Sequence, residues 1–205
     1  LVAELKKQGL AENTVIIYTA DNGYYLGDRG FAGKWTHYQE SLRVPLIIYD
    51  PRLPNPQRGQ VVPELALNSD LASTLIELSG LPIPQAHTGR SLAPLIRGKQ
   101  VSDWRKDFLC EFLAVPITIP LWEGVQGESA TYARYFVDGP NEPPYEFLHD
   151  LQKDPQQLTN LATDSDAQPL LKNLRNRCDQ LVATAGPSMK DVFKIHIKPP
   201  KKSKK

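Results

Sequence analysis

An acid, an amide and a lysine follow one strongly apolar segment of the sequence. Asp21 and Asn22 come after the run Val15–Thr19, which is typical of a strand buried on both faces of a parallel sheet. Open α/β sheets bind ligands beyond the carboxyl ends of their strands, where Asp and Asn oxygens suit hard cations. A glycine-rich loop then leads to Lys34. This order predicts a metal ion and an ammonium group that face one anionic substrate.

Each of these residues also has an ordinary structural interpretation. Asn22 and Gly23 can form a simple turn after the strand, because both residue types tolerate left-handed backbone angles. Lys34 can be a surface lysine with no chemical role. The residue types alone leave both interpretations open.

Three motifs carry a resemblance to a known family. The order of TADNG (19–23), LGDRG (26–30) and GKWTHYQESLRVPLI (33–47) resembles the second half of the sulfatase family, within the alkaline-phosphatase-like superfamily. The resemblance implies hydrolysis of a sulfate ester, with Asp21 and Asn22 as ligands of a calcium ion. It also implies that Lys34 is a catalytic residue that binds a sulfate oxygen and offsets charge on the leaving oxygen. The implied substrate is a sulfated small molecule or a sulfated polysaccharide.

Two further residues are candidates for substrate binding. His37 lies three positions after Lys34 and could reach the same site if the segment turns as a helix. Arg29 stands where the family frequently has histidine, and its guanidinium suits a sulfated or carboxylated group. An inert His37 and an exposed loop arginine remain alternatives. Glu40 is expected to pair with Arg43 at the base of the site.

The nucleophile that the resemblance requires is missing from these residues. Sulfatases use a formylglycine made from the motif Cys/Ser-x-Pro/Ala-x-Arg, and neither Cys110 nor Cys178 lies in such a motif. We expect the formylglycine in an N-terminal part outside this chain, and we expect the chain alone to be inactive. Two alternatives stay open: a phosphate or phosphonate ester hydrolase of the same superfamily, or a non-catalytic remnant.

Composition argues against some partners, whereas the cellular location can be inferred only from the family resemblance. With 24 basic and 23 acidic residues, the net charge of +1 gives no field that would attract nucleic acid. No apolar run has the length of a membrane span. The two cysteines are too few for a disulfide framework, and buried free thiols are expected. Because many bacterial sulfatases are exported, the resemblance implies a periplasmic or extracellular protein.

The order of predicted elements indicates an α/β fold. A helix over 1–10, strands over 14–20 and 44–49, and a helix begun by Ser69 or Asp70 come first. Short alternating runs from about residue 104 predict antiparallel hairpins, followed by a helix over 168–184. With the resemblance, residues 1–103 form the C-terminal part of a mainly parallel, alkaline-phosphatase-like catalytic domain. Residues 104–190 form a small antiparallel α+β subdomain, and 191–205 form a basic, disordered tail.

Overall fold

The computed structural model describes residues 1–54, 59–113, 119–137 and 143–186, so the predicted tail lies outside the described residues. Along the chain the helices and strands are α1 (Val2–Lys7), β1 (Ile16–Thr19), β2 (Tyr25–Leu26), β3 (Ala32–Gly33), α2 (Gln39–Leu42), β4 (Leu46–Tyr49), α3 (Asn68–Leu78), α4 (Ala93–Ile96), β5 (Asp107–Phe112), β6 (Trp122–Gly127), β7 (Ala130–Tyr135), β8 (Tyr145–Asp150) and α5 (Gln168–Ala185).

These elements form two compact units. The first contains Leu1–Gly23 and Arg43–Arg105, and the second contains Tyr24–Leu42 and the described residues from Lys106 onward. The segment Tyr24–Leu42, which the sequence grouped with residues 1–103, therefore belongs with the antiparallel sheet. Side chains and one backbone carbonyl of this segment form hydrogen bonds to residues of that sheet and of the turn that follows it.

The first unit is built on the strand pair β1–β4. The two strands pair antiparallel, with Tyr18 opposite Ile47, so the prediction of a parallel arrangement is wrong for this pair. Burial on both faces is also wrong for the described chain, because Tyr18 is 63% and Ile47 is 61% exposed. The opposite face carries Ile48, which packs against the core of this unit. An apolar run does not reveal strand direction, since Val, Ile and Tyr suit either kind of sheet.

A buried carboxylate joins helix α3 to the end of the first unit. Asp70 lies in the first turn of α3, is completely buried, and accepts a hydrogen bond from the Leu67 backbone N–H at 2.8 Å. The Arg90 backbone N–H donates to the same carboxylate at 2.8 Å, and both terminal nitrogens of Arg105 donate at 2.5 and 2.8 Å. The helix begins at Asn68 rather than after Ser69 or Asp70, so the predicted position of the cap is wrong. Asp70 instead accepts from the backbone N–H of the N-cap residue Leu67 from within the first turn.

The second unit is a four-stranded antiparallel sheet in the order β5-β6-β7-β8, which confirms the predicted hairpins. Strand β6 has no strand signal in its sequence, because two of its six residues are glycines. A glycine is needed at position 124 because the backbone of β7 packs closely against it, and not because of an unusual backbone angle. A Cβ atom at this position would lie 2.2 Å from the Tyr132 carbonyl oxygen on β7.

Helix α5 covers one face of this sheet and confirms the helix predicted over 168–184. Leu171 and Cys178 are buried against sheet residues such as Val125 and Leu148. Cys110 and Cys178 are both free and buried, as predicted, and burial raises the pKa of each thiol to about 12. No helix among the described residues has the length and apolar character needed to cross a membrane.

Removal of the Asp70 carboxylate charge should destabilise the first unit. Asp70→Asn leaves the Arg105 guanidinium without its buried partner, so we expect a loss of about 3–5 kcal/mol in the free energy of unfolding. Asp103→Asn is the control, because Asp103 is 79% exposed and its loss should change stability by less than about 0.5 kcal/mol. Urea denaturation measures both. Equal effects of the two substitutions would contradict the central role of Asp70.

Candidate functional site

The acid and amide of the predicted metal site lie in the first unit, just after β1. The Asn68 side-chain amide donates to the Asp21 backbone carbonyl at 2.7 Å, so this segment is attached to the start of α3. The Asn22 side-chain N–H donates to the Gly23 carbonyl at 2.7 Å, which directs its Oδ1 atom away from that carbonyl. The Asp21 carboxylate and the Asn22 amide therefore lie on an anchored turn, and their oxygen atoms are of the kind that hard cations bind.

These two residues fit only part of a calcium site. Calcium takes about 6–8 oxygen ligands, more than one acid and one amide can supply. Within the part of the chain that the structure describes, no group of three or more His, Cys, Asp or Glu side chains is arranged to hold a metal. The donor atoms suit calcium, and further ligands are required.

Lys34 lies in the second unit and precedes a strained residue. Trp35 has a φ of 86°, a left-handed conformation that is rare for a large side chain and costs about 1–3 kcal/mol. Its backbone N–H donates to the Ser41 Oγ atom at 2.9 Å, and its carbonyl accepts from the Trp122 indole at 2.7 Å. The direction of the chain directly after Lys34 is thus fixed from both sides. The sequence carries no signal for this conformation.

His37 is 1% exposed, and both of its ring nitrogens contact protein groups. Nδ1 lies 2.9 Å from the Tyr135 hydroxyl oxygen, and Nε2 lies 3.2 Å from the Nε2 atom of His149. Burial lowers the pKa of His37 well below its usual value, and the neighbouring His149 lowers it further. These contacts favour a role for His37 in holding the loop. Direct substrate contact stays a prediction.

Arg29 is held by contacts within the second unit. Its Nε atom donates to Glu40 Oε1 at 3.1 Å, and Nη1 donates to the Gln157 carbonyl at 3.0 Å. The guanidinium carbon also lies 4.1 Å from the centre of the Tyr38 ring. Glu40 therefore pairs with Arg29, whereas the sequence predicted a pair with Arg43. These contacts favour a structural role, and substrate binding by Arg29 stays a prediction.

The predicted site residues are divided between the two units. Lys34, His37 and Arg29 belong to the second unit, and Asp21 and Asn22 belong to the first. Their predicted convergence on one anion stays a prediction.

Sequence reasoning missed Tyr135 and His149, the two residues that hold His37. They are 98 and 112 residues away from it in the chain. No local spacing could have indicated these contacts, because only the pairing of β7 with β8 places the two side chains on one face of the sheet.

The Ser41 hydroxyl should be essential for the strained turn after Lys34. Ser41→Ala removes the acceptor of two backbone N–H groups, those of Trp35 and Thr36. An unsatisfied buried donor costs about 1–3 kcal/mol, so we expect a loss in that range or above in the free energy of unfolding. Ser79→Ala is the control, because the Ser79 hydroxyl donates to a carbonyl in an exposed position. An effect of Ser41→Ala as small as that of the control would show that the turn does not depend on this acceptor.

Comparisons with known proteins agree with the predicted family and fold. Residues 27–184 match the family model described as N-sulphoglucosamine sulphohydrolase, C-terminal. The extracellular sulfatase SULF-1 homolog of Drosophila melanogaster is 44% identical over 112 residues, which cover 53% of this chain and 10% of that protein.

Two solved structures superimpose on most of the chain. A protein in complex with its substrate D-glucosamine-2-N,6-O-disulfate has a TM-score of 0.79 and 26% identity, over 87% of this chain and 36% of the other. The phosphonate monoester hydrolase of Agrobacterium radiobacter has a TM-score of 0.76 and 27% identity, over 89% and 37%.

These comparisons confirm the predicted fold class and the predicted family. The chain spans less than two fifths of the length of each of the three relatives. The family model matches 158 of the 205 residues, counting from 27 to 184, which is more than half of the chain. The chain therefore belongs to the sulfatase family, in the group described as N-sulphoglucosamine sulphohydrolase, C-terminal.

Proposed function

We propose that the whole protein hydrolyses a sulfate ester and that this chain contributes Lys34, Asp21 and Asn22 to the reaction. The observation that carries the proposal is the strained and doubly anchored Trp35 directly after Lys34, inside the region that matches the sulfatase family model. Strained residues of this kind cluster at functional sites, where surrounding contacts must hold them. The membership of the family supplies the reaction class.

Lys34 acts on the sulfate group through its positive charge. An ammonium is a compact point charge with three N–H donors, so it can bind a sulfate oxygen without bidentate geometry. As the ester bond breaks, negative charge grows on the leaving oxygen. A cation that is already positioned stabilises this charge without further reorganisation, which is an important source of catalysis.

Asp21 and Asn22 supply one carboxylate and one amide oxygen to a calcium ion. When bound, such an ion neutralises part of the charge of the sulfate and increases the electrophilic character of the sulfur. The formylglycine nucleophile comes from outside these 205 residues, because no Cys/Ser-x-Pro/Ala-x-Arg motif occurs in them. Calcium takes about 6–8 oxygen ligands, so other ligands would join Asp21 and Asn22. The 205-residue chain by itself should therefore show no turnover.

The substrate is most simply a sulfated sugar outside the cytoplasm. This is supported by the solved relative bound to D-glucosamine-2-N,6-O-disulfate and by the relative named an extracellular sulfatase.

Lys34→Ala should lower kcat/KM of the whole protein for a sulfate ester. The loss should be about 10²–10³-fold, which is typical when one group that stabilises developing charge is removed. Lys172→Ala, on the exposed side of helix α5, is the matched control and should leave kcat/KM unchanged. A Lys34→Ala protein with the same kcat/KM as the control would refute the proposed role of Lys34.

Asp21→Asn should weaken calcium binding by the whole protein. Loss of one ligand carboxylate should raise the Kd for calcium at least about tenfold, as isothermal titration calorimetry can measure without any turnover. Asp166→Asn, at an exposed position before helix α5, should leave the Kd unchanged. If the two variants bind calcium equally well, Asp21 is not a ligand.

A second candidate function is hydrolysis of a phosphonate monoester. The likeness to the Agrobacterium radiobacter enzyme favours it, because that structure covers as much of this chain as the sulfated-sugar complex does. Assays of the whole protein with an aryl sulfate and with an aryl phosphonate monoester distinguish the two. A higher kcat/KM for the phosphonate would replace the proposed substrate class.

A further inference from the structure

His37 and His149 are joined in a hydrogen-bond chain in which every proton can be assigned. His149 Nδ1 lies 2.9 Å from the Thr159 carbonyl oxygen, which can only accept, so this nitrogen carries a proton. In a neutral ring the Nε2 atom of His149 is then an acceptor. His37 must therefore carry its proton on Nε2, and its Nδ1 atom accepts from the Tyr135 hydroxyl.

The surroundings of the two rings favour this uncharged state. The Phe147 ring lies 4.5 Å from His37 between ring centres, and Tyr38 lies 4.0 Å away. The Arg29 guanidinium opposes a positive charge on either ring. Burial lowers the pKa of His149 as well, while Asp154 and the hydrogen bond to Thr159 act in the opposite direction.

The same cluster fixes the backbone next to Lys34. Only Trp35 and Thr36 lie between Lys34 and His37. The Tyr135 hydroxyl oxygen also accepts from the His37 backbone N–H at 3.2 Å. The Tyr135 ring stacks on Trp122 at 5.7 Å, and the Trp122 indole holds the Trp35 carbonyl. A displacement of His37 would thus be transmitted to the turn that presents Lys34.

We propose that His37 and His149 form a neutral imidazole pair that positions the segment of Lys34 for sulfate binding. The proposal rests on the proposed function of Lys34. His37 and His149 are positioning residues in it, since neither needs to contact the substrate. Because a hydrogen bond is directional, the pair defines both the orientation of the His37 ring and the path of its backbone.

The tautomers test the pair without any assay of activity. In protein labelled with ¹⁵N-histidine at pH 8, long-range ¹H–¹⁵N NMR spectra should show His37 with its proton on Nε2 and His149 with its proton on Nδ1. Spectra of the His37→Gln and His149→Gln proteins assign the signals. The opposite tautomer for either ring, or an imidazolium at this pH, would overturn the proposal.

Acid should weaken the pair. Unfolding exposes both rings, whose ordinary pKa is about 6.5, so below this pH the unfolded chain binds protons that the folded chain excludes. Stability should therefore be fully present above about pH 6.5 and should fall as the pH decreases towards the lowered pKa values of the folded state. His149→Gln should reduce this dependence in urea denaturation, and His87→Gln, at an exposed position, should not.

A double-mutant cycle on kcat/KM tests the link to Lys34. His149→Phe removes the acceptor of the His37 Nε2–H and should lower kcat/KM about tenfold, because a buried donor is left unsatisfied. His149→Gln, whose amide oxygen can replace that acceptor, should restore most of the activity at pH 8. In a Lys34→Ala background, His149→Phe should have no further effect, because it acts through Lys34.

The outcomes separate the two proposals. If Lys34→Ala leaves kcat/KM unchanged, the proposed function of Lys34 fails. If Lys34→Ala is damaging but His149→Phe has the same effect in both backgrounds, Lys34 keeps its role and the positioning proposal fails.

Discussion

Buried polar groups need hydrogen-bond partners, and this requirement holds the segment Tyr24–Leu42 to the antiparallel sheet. His37 reaches Tyr135 and His149, and Arg29 reaches the carbonyl of Gln157. An apolar segment could slide along the sheet at little cost, whereas each of these bonds has one geometry. The segment therefore has a defined path. The surrounding contacts hold Trp35 in its left-handed backbone conformation and offset the strain of that conformation.

In the first unit, the buried group that needs hydrogen-bond partners is a charged carboxylate. Asp70 is buried with four hydrogen-bond donors from three other residues, and two of those donors belong to the Arg105 guanidinium. A buried ion pair is a weak source of net stability, because both charges must first lose their water. Its geometry is specific, however, and it fixes the start of α3, to which the Asp21 segment is attached through Asn68.

The proposed chemistry depends on this rigid support as well as on the reactive residues themselves. A lysine and an acid–amide pair are common in any sequence, and their charges alone do not make a site. The turn that follows Lys34 fixes the position of its backbone. The anchored segment after β1 does the same for Asp21 and Asn22. In both units the support comes from residues far away in the chain, such as Trp122 and Asn68.

The sequence by itself determined the family, the mixed α/β class, the antiparallel hairpins and helix α5, because motif order and apolar periodicity are local properties. It also identified Lys34, Asp21 and Asn22 as candidates. The tertiary structure decided the antiparallel direction of β1 and β4, the partner of Glu40, and the His37–His149 pair. These features depend on which distant segments meet, and residue types carry no information on that until the chain has folded.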